Sequence, residues 1–179
     1  MSELTYRVVR LAPDYDLSGF DCGEPVYNDW LIQHAATSVQ AGICAVYLLV
    51  EQPAATVDGP ERVVGYYAIN PTQVVREDVP KSLARGWPGS VPAWKLGKLA
   101  VHVDLRADKD GQWGRQLLRN ALETIVRVAE AGGGKVIVVD ADNTGLLAFY
   151  TRNGFKTTGI EGGLALYMKV STARAALNP

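Results

Sequence analysis

"KLGKLAVHVDLRADKDGQWGRQLL", residues 95–118, indicates the central architecture of the chain. An apolar, β-branched run over 93–103 predicts a strand, and a turn-rich segment with Gly111 and Gly114 follows it. From 112 to 130 the apolar residues recur on one helical stripe, so the segment opens an amphipathic helix. A glycine-containing loop between a strand and a helix is typical of anion-binding sites. The same pattern also fits an ordinary helix start with two turn glycines.

The flanking segments predict the remaining elements. Strands are expected at 6–11, 43–51, 62–70 and 135–141, with a closing hairpin made of "FKTTGI" and "LALYMKV". A short helix is expected at 144–154. A longer one is expected at 23–40, where Pro25 suits an early position and apolar side chains recur at helical spacing: Val26, Trp30, Leu31, His34 and Ala35.

These elements predict an α/β (α+β) fold, with a mixed central β-sheet of six to seven strands and helices on both faces. The whole chain, 1–179, is expected to be a single domain. Residues 71–92 contain four prolines and are expected to form an irregular surface excursion, and 171–179 a C-terminal tail.

Composition limits the classes of function. The 179 residues are 47% hydrophobic and 21% charged with a formal net charge of −1, so no whole-chain electrostatic argument favours nucleic acid or membrane. Two cysteines make no disulfide framework. The longest apolar run, 41–50, is half the ~20 residues of a membrane span. We expect a cytoplasmic protein with no membrane partner and no metal site.

Several motifs, in order, resemble the GNAT superfamily of acyl-CoA N-acyltransferases. The first is the strand–loop–helix segment, and the most specific is "NTGLLAFYTRNGF", from Asn143 to Phe155. "GFDCGEPVYNDWL", "VVGYYAINP" and "VPAWKLGKLAVH" are similar to the GNAT-type toxins of bacterial toxin–antitoxin pairs. That branch implies acetyl-CoA-dependent acetylation of the α-amino group of aminoacyl-tRNA by direct amine attack. It also implies a ribbon-helix-helix antitoxin and a homodimer.

Three features depart from that family. About three extra residues precede Gly111, and Gln112 stands where the family loop has a glycine. Lys98 replaces the branch's usual arginine, and the chain is not basic as many such toxins are.

The resemblance and the anion-site argument together give the predicted acetyl-CoA contacts. Helix-start N–H groups, turn N–H groups and the helix dipole favour a pyrophosphate at the loop. Gln112 would still donate its backbone N–H to the phosphates if its φ is negative, while Trp113 is expected to pack inward as a core residue. The resemblance further implies that the strand splays from its neighbour and that an N–H near Leu99 to Val101 polarises the thioester carbonyl. The predicted cofactor-binding residues are Leu99, Ala100, Val101, Arg106, Gly111, Gln112, Trp113, Gly114, Arg115, Asn143 and Phe149.

Tyr150 is the predicted catalytic residue, because the resemblance places it where the family has the general acid that protonates the leaving thiolate. The alternative is a packed tyrosine with a satisfied hydroxyl. Asn143 is expected to be an N-cap, a pantetheine contact or both, and the Phe149 ring is expected in the core.

No general base stands out. His102 is better explained as a structural histidine, and Cys22 and Cys44 as buried apolar residues, since direct amine attack needs no acyl-cysteine. Water or the substrate serves as base in this interpretation.

Cations over 71–98 form a possible phosphate-facing strip, with Trp87 and Trp94 available to stack on bases. The alternative is a solvated loop with ordinary lysines. The candidate substrate-binding residues are Arg76, Arg85, Lys95 and Lys98.

Three other functions remain open from the sequence. A GNAT enzyme acting on a small-molecule amine or on a protein lysine or N-terminus would share every acetyl-CoA motif. A non-catalytic acyl-CoA-binding module would explain the irregular loop, and a purely structural interaction domain would bind no acyl-CoA.

Overall fold

The computed structural model describes residues 3–54, 59–159 and 162–178. Within these residues seven strands form a mixed sheet in the order β1-β2-β3-β4-β5-β7-β6, in agreement with the predicted strand number. The strands are β1 (Leu4–Arg10), β2 (Ala45–Pro53), β3 (Arg62–Val75), β4 (Ser90–Val101), β5 (Val136–Asp140), β6 (Lys156–Thr157) and β7 (Ala165–Lys169). The α-helices are α1 (Pro25–Asp29), α2 (Ala35–Gln40), α3 (Lys81–Ala84), α4 (Val103–Ala107), α5 (Trp113–Gly132), α6 (Thr144–Arg152) and α7 (Val170–Leu177).

The chain divides into two compact units. The first contains residues 1–68 and 98–120, and the second contains residues 69–97 and 121–179. The single domain expected from the sequence stays a prediction.

In the first unit β1 and β2 pair antiparallel, from Leu4 opposite Pro53 to Arg10 opposite Tyr47. Its core contains fully buried side chains of the helical segment 25–40 and of the strands, including Leu31, Val46 and Tyr66.

The predicted helix at 23–40 is present, and Pro25 occupies its start as expected. Its middle turn, Trp30–His34, is a π-helix between α1 and α2, so the helical register shifts there. Leu31 and Ala35 are buried, but Val26 is 73% exposed, so its assignment to the apolar face is wrong.

In the second unit β4 and β5 pair in parallel, and β7 pairs antiparallel with both β5 and β6. The predicted strand at 135–141, the helix at 144–154 and the closing hairpin are therefore confirmed.

Two segments of the second unit differ from the expectation. Residues 71–92 are not an irregular exposed excursion: β3 runs on to Val75, Arg76–Asp78 form a 3-10 turn, and α3 precedes β4. This segment buries a small cluster of apolar side chains, because Leu83 and Trp87 pack into the second unit's core. Residues 170–177 form α7 rather than a tail, anchored by buried Val170 and Ala173.

Candidate active site

The loop before α5 is held by a carboxylate. Asp108 accepts a hydrogen bond from the Gly111 backbone N–H (3.1 Å) and another from the indole N–H of Trp113 (3.0 Å). Both donors stabilise the ionised carboxylate, the indole more strongly, and they lower the pKa of Asp108. We call Asp108, Gly111 and Trp113 the loop clasp. It fixes the turn that leads into α5.

Gly111 fits the clasp because it has no Cβ. A Cβ there would overlap the Trp113 indole nitrogen and would lie 2.5 Å from the Asp108 carboxylate. The glycine is therefore required by close packing against the side chains of Trp113 and Asp108.

Gln112 has a φ of +46°, the only positive value of a non-glycine residue among those described. The Gln112 N–H was expected to reach the phosphates only if φ were negative, and this condition is not met. The left-handed conformation is the one a glycine adopts freely, so the loop keeps the backbone shape of a glycine-containing turn with a different residue. The exposed Gln112 side chain accepts a hydrogen bond from Arg115 at 3.4 Å.

Trp113 does not pack inward as a core residue. Its ring is half-buried and lies 4.2 Å, centroid to centroid, from the Tyr6 ring of β1 at an angle of 48°. The hydrogen bond to Asp108 explains the difference, because an indole N–H needs a partner when its ring is covered.

The start of α5 presents open backbone donors. Its first helical bond runs from the Gln116 N–H to the Gln112 carbonyl, so the N–H groups of Trp113, Gly114 and Arg115 have no intrahelical partner. The dipole of this 20-residue helix adds positive potential at the same end. Arg106 lies on α4, and its guanidinium donates to the Cys22 carbonyl at 2.5 Å. The helix start thus presents the donors that the predicted pyrophosphate site requires, while pyrophosphate binding stays a prediction.

β4 parts from β5 inside the second unit. The parallel ladder holds three pairs, from Ala93 with Val136 to Lys95 with Val138, although both strands continue beyond it. Beyond Lys95, β4 runs on to Val101 through half-buried Leu99 and buried Ala100. The parting agrees with the splay that the resemblance implied, and an early end to the ladder leaves strand N–H groups free for a ligand.

Tyr150 lies in α6 and is only 5% exposed. Its ring makes edge contacts with Phe149 (5.2 Å between centroids) and Phe155 (5.5 Å). Burial, and to a smaller extent the charge of Asp142, raises the pKa of the Tyr150 phenol. The phenol therefore keeps its proton at neutral pH, which a general acid requires.

Asn143 is the N-cap of α6, since its side-chain oxygen accepts the Leu146 N–H at 2.9 Å. The cap interpretation is confirmed, while the pantetheine contact stays a prediction. Phe149 is half-buried rather than part of the core.

The candidate substrate cations have different partners, and their role in binding the substrate stays a prediction. Arg76 donates to the Trp87 carbonyl (3.2 Å), and Lys95 forms an ion pair with Asp140 (2.8 Å). In the first unit Lys98 lies over the rings of Tyr27 and Trp30.

The two tryptophans are not free surface rings. Trp87 is 8% exposed, so its predicted stacking on bases is wrong. The Trp94 ring is half-buried, and its indole N–H donates to the Gly133 carbonyl at 2.9 Å.

His102 is a structural residue, as expected. It is 6% exposed, and its Nδ1 accepts the Asp104 N–H at the start of α4. Burial raises the pKa of both cysteine thiols, so neither is activated as a nucleophile. Across the described residues no group of three or more His, Cys, Asp or Glu is placed to hold a metal ion.

Sequence reasoning missed the role of Asp108. The available signal was an aspartate three residues before a glycine, which often marks a turn in which the carboxylate binds backbone N–H groups.

Comparison with known proteins adds one relative and two solved structures. A tRNA-acetylating toxin from Mycobacterium tuberculosis is 32% identical over 170 residues, covering 94% of each chain. AtaT complexed with acetyl-methionyl-tRNAfMet is 28% identical, with a TM-score of 0.81 and coverage of 98% of this chain and 100% of that one.

A Tyr-to-Phe mutant of AtaT bound to acetyl-CoA and to the C-terminus of the antitoxin AtaR is 25% identical. Its TM-score is 0.78, with coverage of 97% of this chain and 99% of that one. No family model matches the chain. Within the described residues, none of the helices is both long and apolar enough to cross a membrane.

Proposed function

This chain belongs to the tRNA-acetylating toxins of the GNAT superfamily, and we propose that it transfers acetyl from acetyl-CoA to the α-amino group of an aminoacyl-tRNA. The observation that carries this conclusion is 32% identity to a tRNA-acetylating toxin over nearly the full length of both chains. The open N–H groups at the start of α5 and the parting of β4 from β5 support it with the chemistry that acetyl-CoA needs.

The loop and the first turn of α5 bind the pyrophosphate of acetyl-CoA. The donors are the N–H groups of Trp113, Gly114 and Arg115, with the Arg115 side chain beside them. The clasp keeps Gly111 and Gln112 in the turn that aims these donors outward. Arg106 holds the Cys22 carbonyl and steadies the adjoining loop.

The stretch of β4 that lies beyond its ladder with β5 binds the thioester arm. A backbone N–H within Leu99, Ala100 and Val101 donates to the thioester oxygen, where negative charge develops during attack. Asn143 and Phe149, at α6, contact the pantetheine.

The substrate amine attacks the thioester carbon directly and forms the new C–N bond. The tetrahedral intermediate then expels the CoA sulfur as the C–S bond breaks, and Tyr150 donates its phenolic proton to that sulfur. The proton lost by the amine passes to water, and the phenolate is reprotonated from solvent. No histidine is needed, since His102 is committed to the α4 cap.

The same membership supports a proposal for the biological setting. The protein acts in the cytoplasm as a homodimer, and a ribbon-helix-helix antitoxin blocks it. AtaT, a structural neighbour, is solved with its antitoxin AtaR. Size-exclusion chromatography with light scattering tests the dimer, and inhibition by the product of an adjacent gene tests the antitoxin.

The enzymatic proposal is tested by supplying labelled acetyl-CoA together with bulk charged tRNA, a polyamine mixture and a protein extract in separate reactions. We expect label in the charged tRNA and none in uncharged tRNA. Label only in the polyamine or protein reactions would refute the tRNA assignment while preserving the acetyltransferase.

A further inference from the structure

Two adjoining grooves run over the surface of the second unit. They share Ser82, Leu83 and Lys169 as lining residues, so the two grooves lie side by side. We call the pair the basic groove, because its charged lining residues are all cations: Arg85, Lys135, Lys156, Lys169 and Arg174.

The charge in the basic groove is largely uncompensated. Arg174 pairs with Glu130 at 3.2 Å, an exposed contact worth little in water. The other four cations are exposed, and among the described residues none has an ion pair or a side-chain hydrogen bond. Arg76 and Lys95, by contrast, are engaged elsewhere in the unit. Four unpaired cations on one face attract an anionic partner.

The two units carry opposite charge. Residues 1–68 and 98–120 hold eight Lys or Arg against twelve Asp or Glu, a net charge of −4. Residues 69–97 and 121–179 hold ten against seven, a net charge of +3. The overall value of −1 therefore hides a basic unit, and the basic groove lies within it.

Neutral donors complete the groove. Ser82, Ser171 and Thr172 line it with hydroxyls, and the last two open α7, where the first N–H groups have no intrahelical partner. Hydroxyls, lysines, arginines and helix-start N–H groups are the donors that proteins use for the phosphates of nucleic acids.

We propose that the basic groove binds the phosphodiester backbone of the aminoacyl-tRNA and so forms a substrate site apart from the acetyl-transfer chemistry. This inference rests on the proposed function. It predicts an electrostatic contribution to KM for tRNA that is absent for a substrate without a phosphate backbone.

The test compares the wild type with the double variant Lys135→Gln and Lys169→Gln. Arg127→Gln, on an exposed part of α5 outside the groove, is the control that removes one positive charge elsewhere in the unit. All three are assayed with aminoacyl-tRNA and with an aminoacyl-adenosine that carries the same amino acid. Binding of uncharged tRNA is measured over a series of salt concentrations, together with the thermal midpoint of each protein.

We expect the double variant to raise KM for tRNA, to leave aminoacyl-adenosine kinetics unchanged, and to reduce the slope of log K against log salt by about 2. An unchanged tRNA KM and salt slope in a folded double variant would overturn the proposal. So would an equal loss with aminoacyl-adenosine.

The source of the phosphates is distinguished by a DNA duplex. Equal weakening of tRNA and duplex binding supports a groove for phosphodiesters of either kind, whereas weakening of duplex binding alone refutes the tRNA assignment. If no charged tRNA is acetylated at all, the proposed enzymatic function fails. The salt slope for uncharged tRNA then still decides whether the groove binds nucleic acid.

Discussion

Replacing Tyr150 by phenylalanine removes one oxygen and keeps the ring. The ring is 5% exposed and contacts Phe149 and Phe155 through its edges, contacts that phenylalanine reproduces. Among the residues described by the structure, the phenol makes no hydrogen bond that the substitution would break. Because a hydroxyl that makes no hydrogen bond within the protein adds little to stability, we expect the free energy of unfolding to change by less than about 1 kcal/mol.

The effect on catalysis is far larger. A positioned general acid contributes about 10²–10⁴ in rate, equivalent to roughly 2.7–5.5 kcal/mol of barrier. The loss falls on expulsion of the CoA thiolate, after acetyl-CoA has bound. We therefore expect kcat to fall by at least about 10²-fold, with acetyl-CoA affinity and tRNA KM close to the wild type.

The assay is single-turnover acetylation of charged tRNA, with acetyl-CoA binding measured separately by calorimetry. Tyr47→Phe is the control, because it removes the same oxygen from a ring on β2 that is half-buried and stacks 5.0 Å from the ring of Tyr67. A Tyr150→Phe protein that reacts within about threefold of the wild type would contradict general-acid catalysis by this residue. A loss of acetyl-CoA binding equal to the loss of rate would show a structural role instead.

Three further outcomes follow from the loop and from the reaction. Gly111→Ala should raise the Kd for acetyl-CoA, since its Cβ would collide with the clasp, whereas Gly19→Ala, which has open space around its Cβ, should not. Asp108→Ala should raise the same Kd about tenfold if the ordered loop falls to a tenth of the population, and Trp113 fluorescence should report the loosened ring. The pKa of Asp108 is lowered, so its clasp is lost only as the pH falls through the acid range. Acetyl-CoA binding should therefore stay level from about pH 6 to 9, while kcat/KM rises towards about pH 8 as the substrate amine loses its proton. If acetyl-CoA binding changed with pH in the same way as kcat/KM across this range, the roles given to the Asp108 clasp and to the substrate amine would both be contradicted.

The regular elements were predictable because the spacing of their apolar residues agrees with the residues that begin and end each element. The stripe of α5 ends at the glycines of 132–134, and the apolar run of β5 has the length of a buried strand. Asn143 was predictable as a cap for the same local reason. Residues 71–92 were not, because prolines suggested a loop while Leu83 and Trp87 are buried by contacts distant in sequence.

The site was predictable in its chemistry and not in its details. Helix-start N–H groups follow from the loop pattern, yet the left-handed φ of Gln112 does not, because a non-glycine residue rarely adopts that conformation. The half-buried position of Trp113 was not predicted, because it depends on the hydrogen bond from the indole N–H to Asp108. The basic groove was invisible, since Lys135, Lys169 and Arg174 are separated along the chain and the net charge conceals them.

The most direct test of the central claim is to locate the acetyl group on its acceptor. Wild-type protein is incubated with acetyl-CoA and a single charged tRNA, nuclease releases the terminal aminoacyl-adenosine, and tandem mass spectrometry assigns the modified atom. The account predicts one acetyl group on the α-amino nitrogen, with an equal amount of CoA thiol released. CoA release without acetylated aminoacyl-adenosine, or acetyl on any other atom, would contradict it.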